Sequence, residues 1–366
     1  MNFVNYYMPT KILLEEDVIL NNSNLFHTYG DKALIVTGKT SSIVNGSLKD
    51  VTKALDKEGI LYDVFNDVEE NPSLETVENI AKLGISQKSN FMIGIGGGSP
   101  IDASKAAGVL INNPIATRYN LFNSPELKSL PVIAIPTTAG TGTETTPYSI
   151  VTDNELQTKH GICQKVFPEI ALLDVKYLMF LPEKITINTS IDALSHLIEG
   201  YLSSKSNIMS DALAEKGLKL FGECLIMIRE KDFNCLVREK LMLASTIAGM
   251  VIAQSGTSLP HRMGYALTYF HNIPHGKANG IFLKSYLEFC EDKNKVRKIL
   301  YLLTLENLDE LGNFINNILG YVDSVNYKDI CSYADQVFLN KIKLKNHPTP
   351  VTREDILKIY NDSLKI

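Results

Sequence analysis

An α/β amino-terminal half followed by an all-helical carboxy-terminal half is the fold class this sequence predicts, and three observations predict it. Short β-branched runs recur through the first half with helix-length segments between them. Two of those runs end in turns crowded with glycine or threonine. From residue 183 onward, long amphipathic stretches replace the strand-like runs. A chain of 366 residues with 45% apolar content is long enough for two buried cores, and the boundary is placed between an α/β domain at 1–180 and a helical domain at 181–366.

In chain order, the alternating "MNFVNYYMPTKI" predicts an N-terminal edge strand, and "ALIVTG" (33–38), "LYDVFNDV" (61–68), "NFMIGIGGGS" (90–99) and "PVIAIPTT" (131–138) predict the strands of a parallel sheet with crossover helices. The second half offers "DALAEKGLKLFGECLIMIREK" and "LVREKLMLASTIAGMVIAQ" as helices. Within the latter, the apolar run at 241–253 is interrupted by Ser245, Thr246 and Gly249. It falls short of the roughly 18 to 20 residues that span a bilayer, so it reads as a buried helix. "KLKNHPTPVT" at 343–352 reads as a loop, with Thr352 and Asp355 as a capping box opening the last helix.

The composition narrows the partners. A net charge of −5, with both signs mixed along the chain, provides neither a basic face for nucleic acid nor a polybasic run for a membrane, which leaves small molecules. The N-terminus lacks a basic region, apolar core and cleavage site in series, and a cytoplasmic location is expected. Five cysteines, odd in number and without a CxxC pair, read as reduced thiols filling the core.

Three segments carry possible chemistry. "GIGGGSPIDASK" leaves a strand and enters a helix, so Gly96, Gly97, Gly98 and Ser99 place bare N–H groups at a helix N-terminus, where a phosphate fits. It departs from GxGxxG, since the third glycine would fall at Ser99, and the run equally makes an ordinary tight turn. "IPTTAGTGTETTPYS" packs threonine hydroxyls around Gly140 and Gly142; these can bond a nucleotide or their own backbone. In "SIDALSHLIEGY", Asp192 and His196 stand four apart and share one helix face, as two ligands or as a plain hydrogen-bonded pair. His261 follows "SGTSLP" at a helix start, and His275 is pinned between Pro274 and Gly276. One carboxylate and three imidazoles make a competent site for Fe(II) or Zn(II) with a position open for substrate. His271 reads as a pocket or surface residue, and His27, His160 and His347 as structural or solvated.

Taken together, "GGGSPIDASK", "PTTAGTGTETTPYS", "DALSHLIEGY" and "PHGKANGIFL" resemble, in order and spacing, the iron-containing (group III) alcohol dehydrogenases. The resemblance implies a Rossmann-like N-terminal dinucleotide-binding domain with a helical metal-binding domain behind it. It makes Asp192, His196, His261 and His275 the metal ligands, for Fe2+ or Zn2+. It assigns pyrophosphate to Gly97, Gly98 and Ser99, lines the cofactor site with Thr137, Thr138 and Thr141, brings Asn71 to the nucleotide and Lys159 to the nicotinamide ribose, and includes Asp102 and Lys105 in its motif. Many relatives carry a second histidine four residues after the one matching His261, bordering the substrate; here Tyr265 stands there, which leaves the proton relay open. Ser190 and Val175 replace a common Gly and Pro.

The implied activity is reversible hydride transfer between a nicotinamide cofactor and a small primary alcohol or diol and its aldehyde. NAD-preferring relatives often carry an Asp where this chain has Gly38; with Lys39 beside it, NADP(H) is favoured over NAD(H). Relatives that pair N-terminal edge strands make a homodimer the expected assembly. The alternatives on the same scaffold are a dehydroquinate-synthase-like lyase, which needs several cations near the metal where only Arg262 and Lys277 are found, and a non-catalytic nucleotide-binding sensor.

Overall fold

The computed structural model describes residues 4–156, 158–322, 325–339 and 344–364. The chain forms two compact units, Met8–Thr138 with Gly142–Leu181, and Met1–Tyr7 with Ala139–Thr141 and Pro182–Ile366.

In the first unit, β1 (Lys11–Leu14), β2 (Lys32–Thr37), β3 (Leu61–Phe65), β4 (Phe91–Gly96) and β5 (Val132–Pro136) join β8 (Ile170–Leu173) in a six-stranded sheet of order β1-β8-β5-β4-β2-β3, every pairing parallel. Between β5 and β8, β6 (Ile150–Asp153) and β7 (Thr158–Gly161) form an antiparallel hairpin. Helices α1 (Ser47–Glu58), α2 (Leu74–Gln87) and α3 (Gly98–Asn112) make the crossovers. Gly59, with φ 68°, ends α1, and the Ser73 hydroxyl caps α2 by accepting from the Thr76 N–H. Leu34, Met92 and Val132 from the strands share one buried cluster with Val77 and Ile80 of α2 and Val109 of α3. Strands covered on both faces read as continuous apolar runs, which is why these segments stood out in the sequence.

The edge strand lies later than the alternation suggested. Residues 4–10 form no strand, and residues 1–3 lie outside the described residues. The backbone of Tyr7 is taken by the Gln254 amide, at 3.1 and 2.7 Å, and Pro9 has no N–H to give a ladder, so pairing begins at Lys11.

In the second unit the helices are α4 (Glu183–Leu202), α5 (Ile208–Gly222), α6 (Cys235–Ser255), α7 (Leu259–His271), α8 (His275–Gly280), α9 (Leu283–Phe289), α10 (Lys293–Leu302), α11 (Leu308–Leu319), α12 (Tyr327–Leu339) and α13 (Arg353–Leu364). Helix α4 is buried at every position from Ser190 to Leu202, so any polar side chain there enters the interior. The run at 241–253 lies within α6, and no helix among the described residues is long and apolar enough to cross a membrane. Thr352 and Asp355 close the expected capping box, the Asp355 N–H reaching the Thr352 hydroxyl at 3.1 Å and the Asp355 carboxylate accepting the Thr352 N–H at 2.8 Å. Of the five free cysteines only Cys224 and Cys290 are buried; Cys163 and Cys331 are half-buried and Cys235 is exposed, since it opens α6 on the solvent side, so the thiols do not all fill the core.

His347 is buried against Phe289 and Tyr286, with ring centroids 5.1 and 5.6 Å away, and neither ring nitrogen has a hydrogen-bond partner. Burial pushes its imidazole down to about 4, against a smaller opposing pull from Asp355. The folded state therefore keeps it neutral, whereas the unfolded chain takes a proton below about 6.5. Stability is therefore fully present above that value and is lost as pH falls toward 4. Melting temperatures of wild type and His347→Phe, measured from pH 7 to pH 4, are expected to converge or cross on acidification, and parallel curves would contradict this.

Candidate functional site

Two clusters of candidate residues form, one in each unit. In the sheet unit, the ends of the adjacent parallel strands β5, β4 and β2 carry Thr137, Gly97 and Gly38, so three candidate nucleotide positions share the carboxyl edge of the sheet. Gly97 is the N-cap of the 15-residue α3. Gly96 adopts φ 150°, and a Cβ there would lie 2.6 Å from the Pro100 ring, so the approach of strand to helix requires a bare backbone. The Thr137 N–H donates to the Gly96 carbonyl at 2.8 Å, tying the two turns together.

Asn71, in the left-handed region at φ 59°, gives its N–H to the Ser99 hydroxyl at 3.0 Å and accepts Lys159 Nζ on its side chain at 2.8 Å. Burial pushes the Lys159 ammonium down to about 8, opposed by Glu70. Asn71, Ser99 and Lys159 are thus joined in the fold although they are far apart in sequence.

Asp102 and Lys105 build the threonine loop. Lys105 is fully buried, and its Nζ donates to the Thr143 carbonyl and hydroxyl, each at 2.8 Å, and to the carbonyls of Thr146 (3.0 Å) and Tyr148 (2.8 Å). Asp102 accepts the Thr143 hydroxyl at 2.5 Å and the Ile150 N–H at 3.0 Å. Burial pushes the Lys105 ammonium down to about 8 and the Asp102 carboxyl upward. At the same carboxyl edge of the sheet, Gly38 has open space around it, a Cβ meeting nothing closer than the Val68 carbonyl at 3.4 Å. Lys39 pairs on the surface with Asp67 at 2.8 Å.

In the helical unit, an oxygen of Asp192 and one nitrogen each of His261 and His275 lie within 4.8 Å of one another. Helix α4 supplies Asp192, the first turn of α7 supplies His261, and His275 opens α8. Gly276 permits this approach: a Cβ there would sit 1.7 Å from the Asn188 carbonyl of α4. His261 Nε2 is buried without a hydrogen-bond partner, 3.4 Å from Asp192 Oδ1. A buried nitrogen without a donor or acceptor, beside a carboxylate and a second imidazole, fits a divalent first-row ion with open coordination positions. His196 stacks on His261 with ring centroids 4.3 Å apart but adds no ligand atom to the triplet. Its Nδ1 has no hydrogen-bond partner, and its ring bonds the Gly140 backbone. Tyr265 lies parallel to His275, centroids 5.7 Å apart. His271 is elsewhere, bonded to the Tyr333 hydroxyl at 2.9 Å.

The electrostatics follow from burial against pairing. Burial alone would raise the Asp192 carboxyl, but His196, His275 and His261 outweigh it and hold it well below the usual carboxylate range. Burial acts to lower His261, yet Glu199 and Asp192 on either side push it up to about 10, while burial takes His196 down to about 4.

Two partners of the triplet were not singled out from the sequence. Glu199, fully buried, bonds His261 Nδ1 and accepts the Ser258 N–H at 2.6 Å. Asn279 donates to Asp192 Oδ1 at 3.0 Å and stands 3.1 Å from His275 Nε2. The signal for Glu199 was present, since it follows Asp192 by seven and His196 by three on an otherwise apolar helix face.

Residues 9–175 match the family model "Iron-containing alcohol dehydrogenase", and residues 186–364 match "Fe-containing alcohol dehydrogenase family, C-terminal". The chain is 32% identical over 357 residues to lactaldehyde reductase of Escherichia coli, covering 90% of this chain and 91% of that protein. It is 29% identical over 358 residues to an NADPH-dependent butanol dehydrogenase of Clostridium saccharobutylicum, with the same coverage of 90% and 91%. The crystal structure of an iron-containing alcohol dehydrogenase from Thermotoga maritima superimposes with a TM-score of 0.92 at 38% identity, over 99% of both chains.

Replacing the Lys105 ammonium with a thioether removes the donor it provides to the Thr143 carbonyl and hydroxyl and to the Thr146 and Tyr148 carbonyls. Lys105→Met is therefore expected to destabilise the sheet unit by about 3 to 5 kcal/mol, read as the urea midpoint. A midpoint equal to wild type would show that the ammonium does not hold the threonine loop.

Proposed function

The chain belongs to the iron-containing alcohol dehydrogenase family and is an oxidoreductase acting on alcohols and aldehydes, and on that premise we propose the finer chemistry of its site. The substrate pair is a small primary alcohol or diol and its aldehyde. The ion is Fe2+ or Zn2+, held by Asp192, His196, His261 and His275. The observation that carries this is the triplet of one carboxylate oxygen and two imidazole nitrogens, with Asp192 and His261 buried and His275 half-buried. His196 completes the set by a side-chain rotation, its ring already stacked on His261.

When bound, the ion lowers the pKa of an alcohol hydroxyl or polarises an aldehyde carbonyl, and the nicotinamide carries the hydride, so that alcohol and oxidised cofactor give aldehyde, reduced cofactor and one proton. Asp192 supplies the negative charge of the ligand set. Tyr265, parallel to His275, borders the substrate and offers a hydroxyl to pass the alcohol proton. Gly97, Gly98 and Ser99 hold the pyrophosphate at the α3 N-terminus; Thr137, Thr138, Thr141, Asn71 and Lys159 hold the rest of the cofactor. The lyase alternative is disfavoured because Lys277 donates to the Tyr321 carbonyl at 2.9 Å, which leaves Arg262 to bind a polyanionic substrate. We also propose a homodimer, in which the edge of the sheet at β1 meets its symmetry copy.

Loss of one ligand should remove the ion. His275→Ala is expected to lose bound metal and turnover of C2 to C6 alcohols, whereas His271→Ala retains both. Elemental analysis and cofactor absorbance on metal-defined protein provide the readout, and a fully active, metal-replete His275→Ala protein would reject the ligand set.

The cofactor is proposed to be NADP(H). Gly38 leaves room for a 2′-phosphate, and Lys39 provides a cation whose surface pair with Asp67 is exposed and easily exchanged. The named relative that uses NADPH supports the same choice. Because a Cβ at position 38 meets only ordinary contacts, Gly38→Asp tests charge rather than packing. The ratio of kcat/KM for NADPH over NADH is expected to fall by about tenfold or more in Gly38→Asp and to rise in Asp67→Asn. A wild-type enzyme that clearly prefers NADH would overturn the assignment.

A further inference from the structure

We propose that Glu199 is the positioning residue of the metal site, setting the orientation and donor strength of His261 from behind the ring. This rests on the reading of Asp192, His261 and His275 as a metal site. Glu199 has no exposed surface, so its charge must be fully compensated by what it touches. What it touches is His261 and the start of the helix that carries it. One carboxylate oxygen meets His261 Nδ1; the other accepts the Ser258 N–H at 2.6 Å and lies 3.5 Å from the His261 N–H.

The consequence for His261 is chemical. When an ion displaces the Nε2 proton, the carboxylate keeps the remaining proton on Nδ1, so Nε2, 3.4 Å from Asp192 Oδ1, offers its lone pair to the ion. Donation from Nδ1 to a carboxylate also raises the basicity of Nε2, which strengthens it as a ligand. The same carboxylate ties the ring to the backbone of the first turn of α7, so His261 cannot rotate without losing its Nδ1 contact to a carboxylate that is itself held by the Ser258 N–H. Asp192 and Glu199 together carry two negative charges, which match a divalent ion at a buried location.

Only a carboxylate can do this. All three neighbours are N–H donors, and a glutamine at 199 has one accepting oxygen, so its NH2 would oppose a donor on one side or the other. A purely structural role as a helix cap makes a different prediction, because it stabilises α7 without altering the affinity of the folded protein for metal.

The experiment uses Co2+ as probe, titrated into metal-free full-length protein against a chromophoric chelator, with the d–d absorption of bound Co2+ as the second readout. Glu199→Gln is expected to weaken Co2+ binding by about 10- to 100-fold and to change the absorption spectrum. In a His261→Ala background the same substitution should have no further effect on affinity, since Glu199 acts through that ring. A folded Glu199→Gln protein with wild-type affinity and spectrum, or additive losses in the double variant, would overturn the proposal whatever the melting temperatures do. Should Glu199→Gln fail to fold, Glu199→Asp, which retracts the carboxylate by one methylene, is read by the same criteria. Wild-type protein that binds no Co2+ would reject the metal site itself, whereas normal binding that ignores residue 199 rejects only the role given to Glu199.

Discussion

Two carboxylates buried seven residues apart on one helix set the terms for the rest of the helical unit. A lone buried carboxylate costs several kcal/mol, so Asp192 and Glu199 each require dedicated partners. His261 serves both, with Glu199 at Nδ1 and Asp192 3.4 Å from Nε2. Asn279 donates to the same Asp192 Oδ1 at 3.0 Å. Three helices must therefore meet at one point, and α4 cannot yield, being buried on every side from Ser190 to Leu202. The adjustment falls on α8, whose second residue is a glycine because any side chain would strike the Asn188 carbonyl.

The sheet unit solves a related problem with the opposite charge. A fully buried ammonium at Lys105 gathers backbone carbonyls from a loop that has little secondary structure of its own. The loop from Thr143 to Tyr148 has no continuous ladder, and the ammonium gathers three of its carbonyls at one point. The residues matching the glycine motif thus divide by physical task. Gly96 and Gly97 allow backbone to approach backbone, Ser99 fixes Asn71, and Asp102 and Lys105 fix the neighbouring loop.

Much of this was legible in the sequence, for a definable reason. Strands buried on both faces announce themselves as apolar runs, as β2, β4 and β5 do, while the half-exposed edge strand β3 is read from its aromatic and β-branched residues; all four start within two residues of their expected positions. The β6–β7 hairpin did not stand out, because "IVTD" and "TKHG" are short, polar and only partly buried. The edge strand was displaced because side-chain alternation says nothing about where backbone donors go: Tyr7 is bonded to Gln254, and Pro9 has none to offer. That Asp192 and His196 share one face of α4 was readable from helical periodicity. That Glu199 faces His261, 62 residues away in sequence, was not, since no local pattern records which helix start packs against which helix face.

That long-range contact also explains how the site accommodates Tyr265. Helix α7 opens without a side-chain cap from Ser258, and Pro260 in its first turn has no N–H, so the carboxylate of Glu199 takes the place of a local cap. The ring of His261 is accordingly fixed from its Nδ1 side and from the helix start. Position 265 lies one turn further on, against His275 rather than against Glu199. A change of histidine to tyrosine there alters the ring beside His275 without removing any contact that orients His261, so the arrangement of Asp192 and His261 and the chemistry of the neighbouring surface can vary independently.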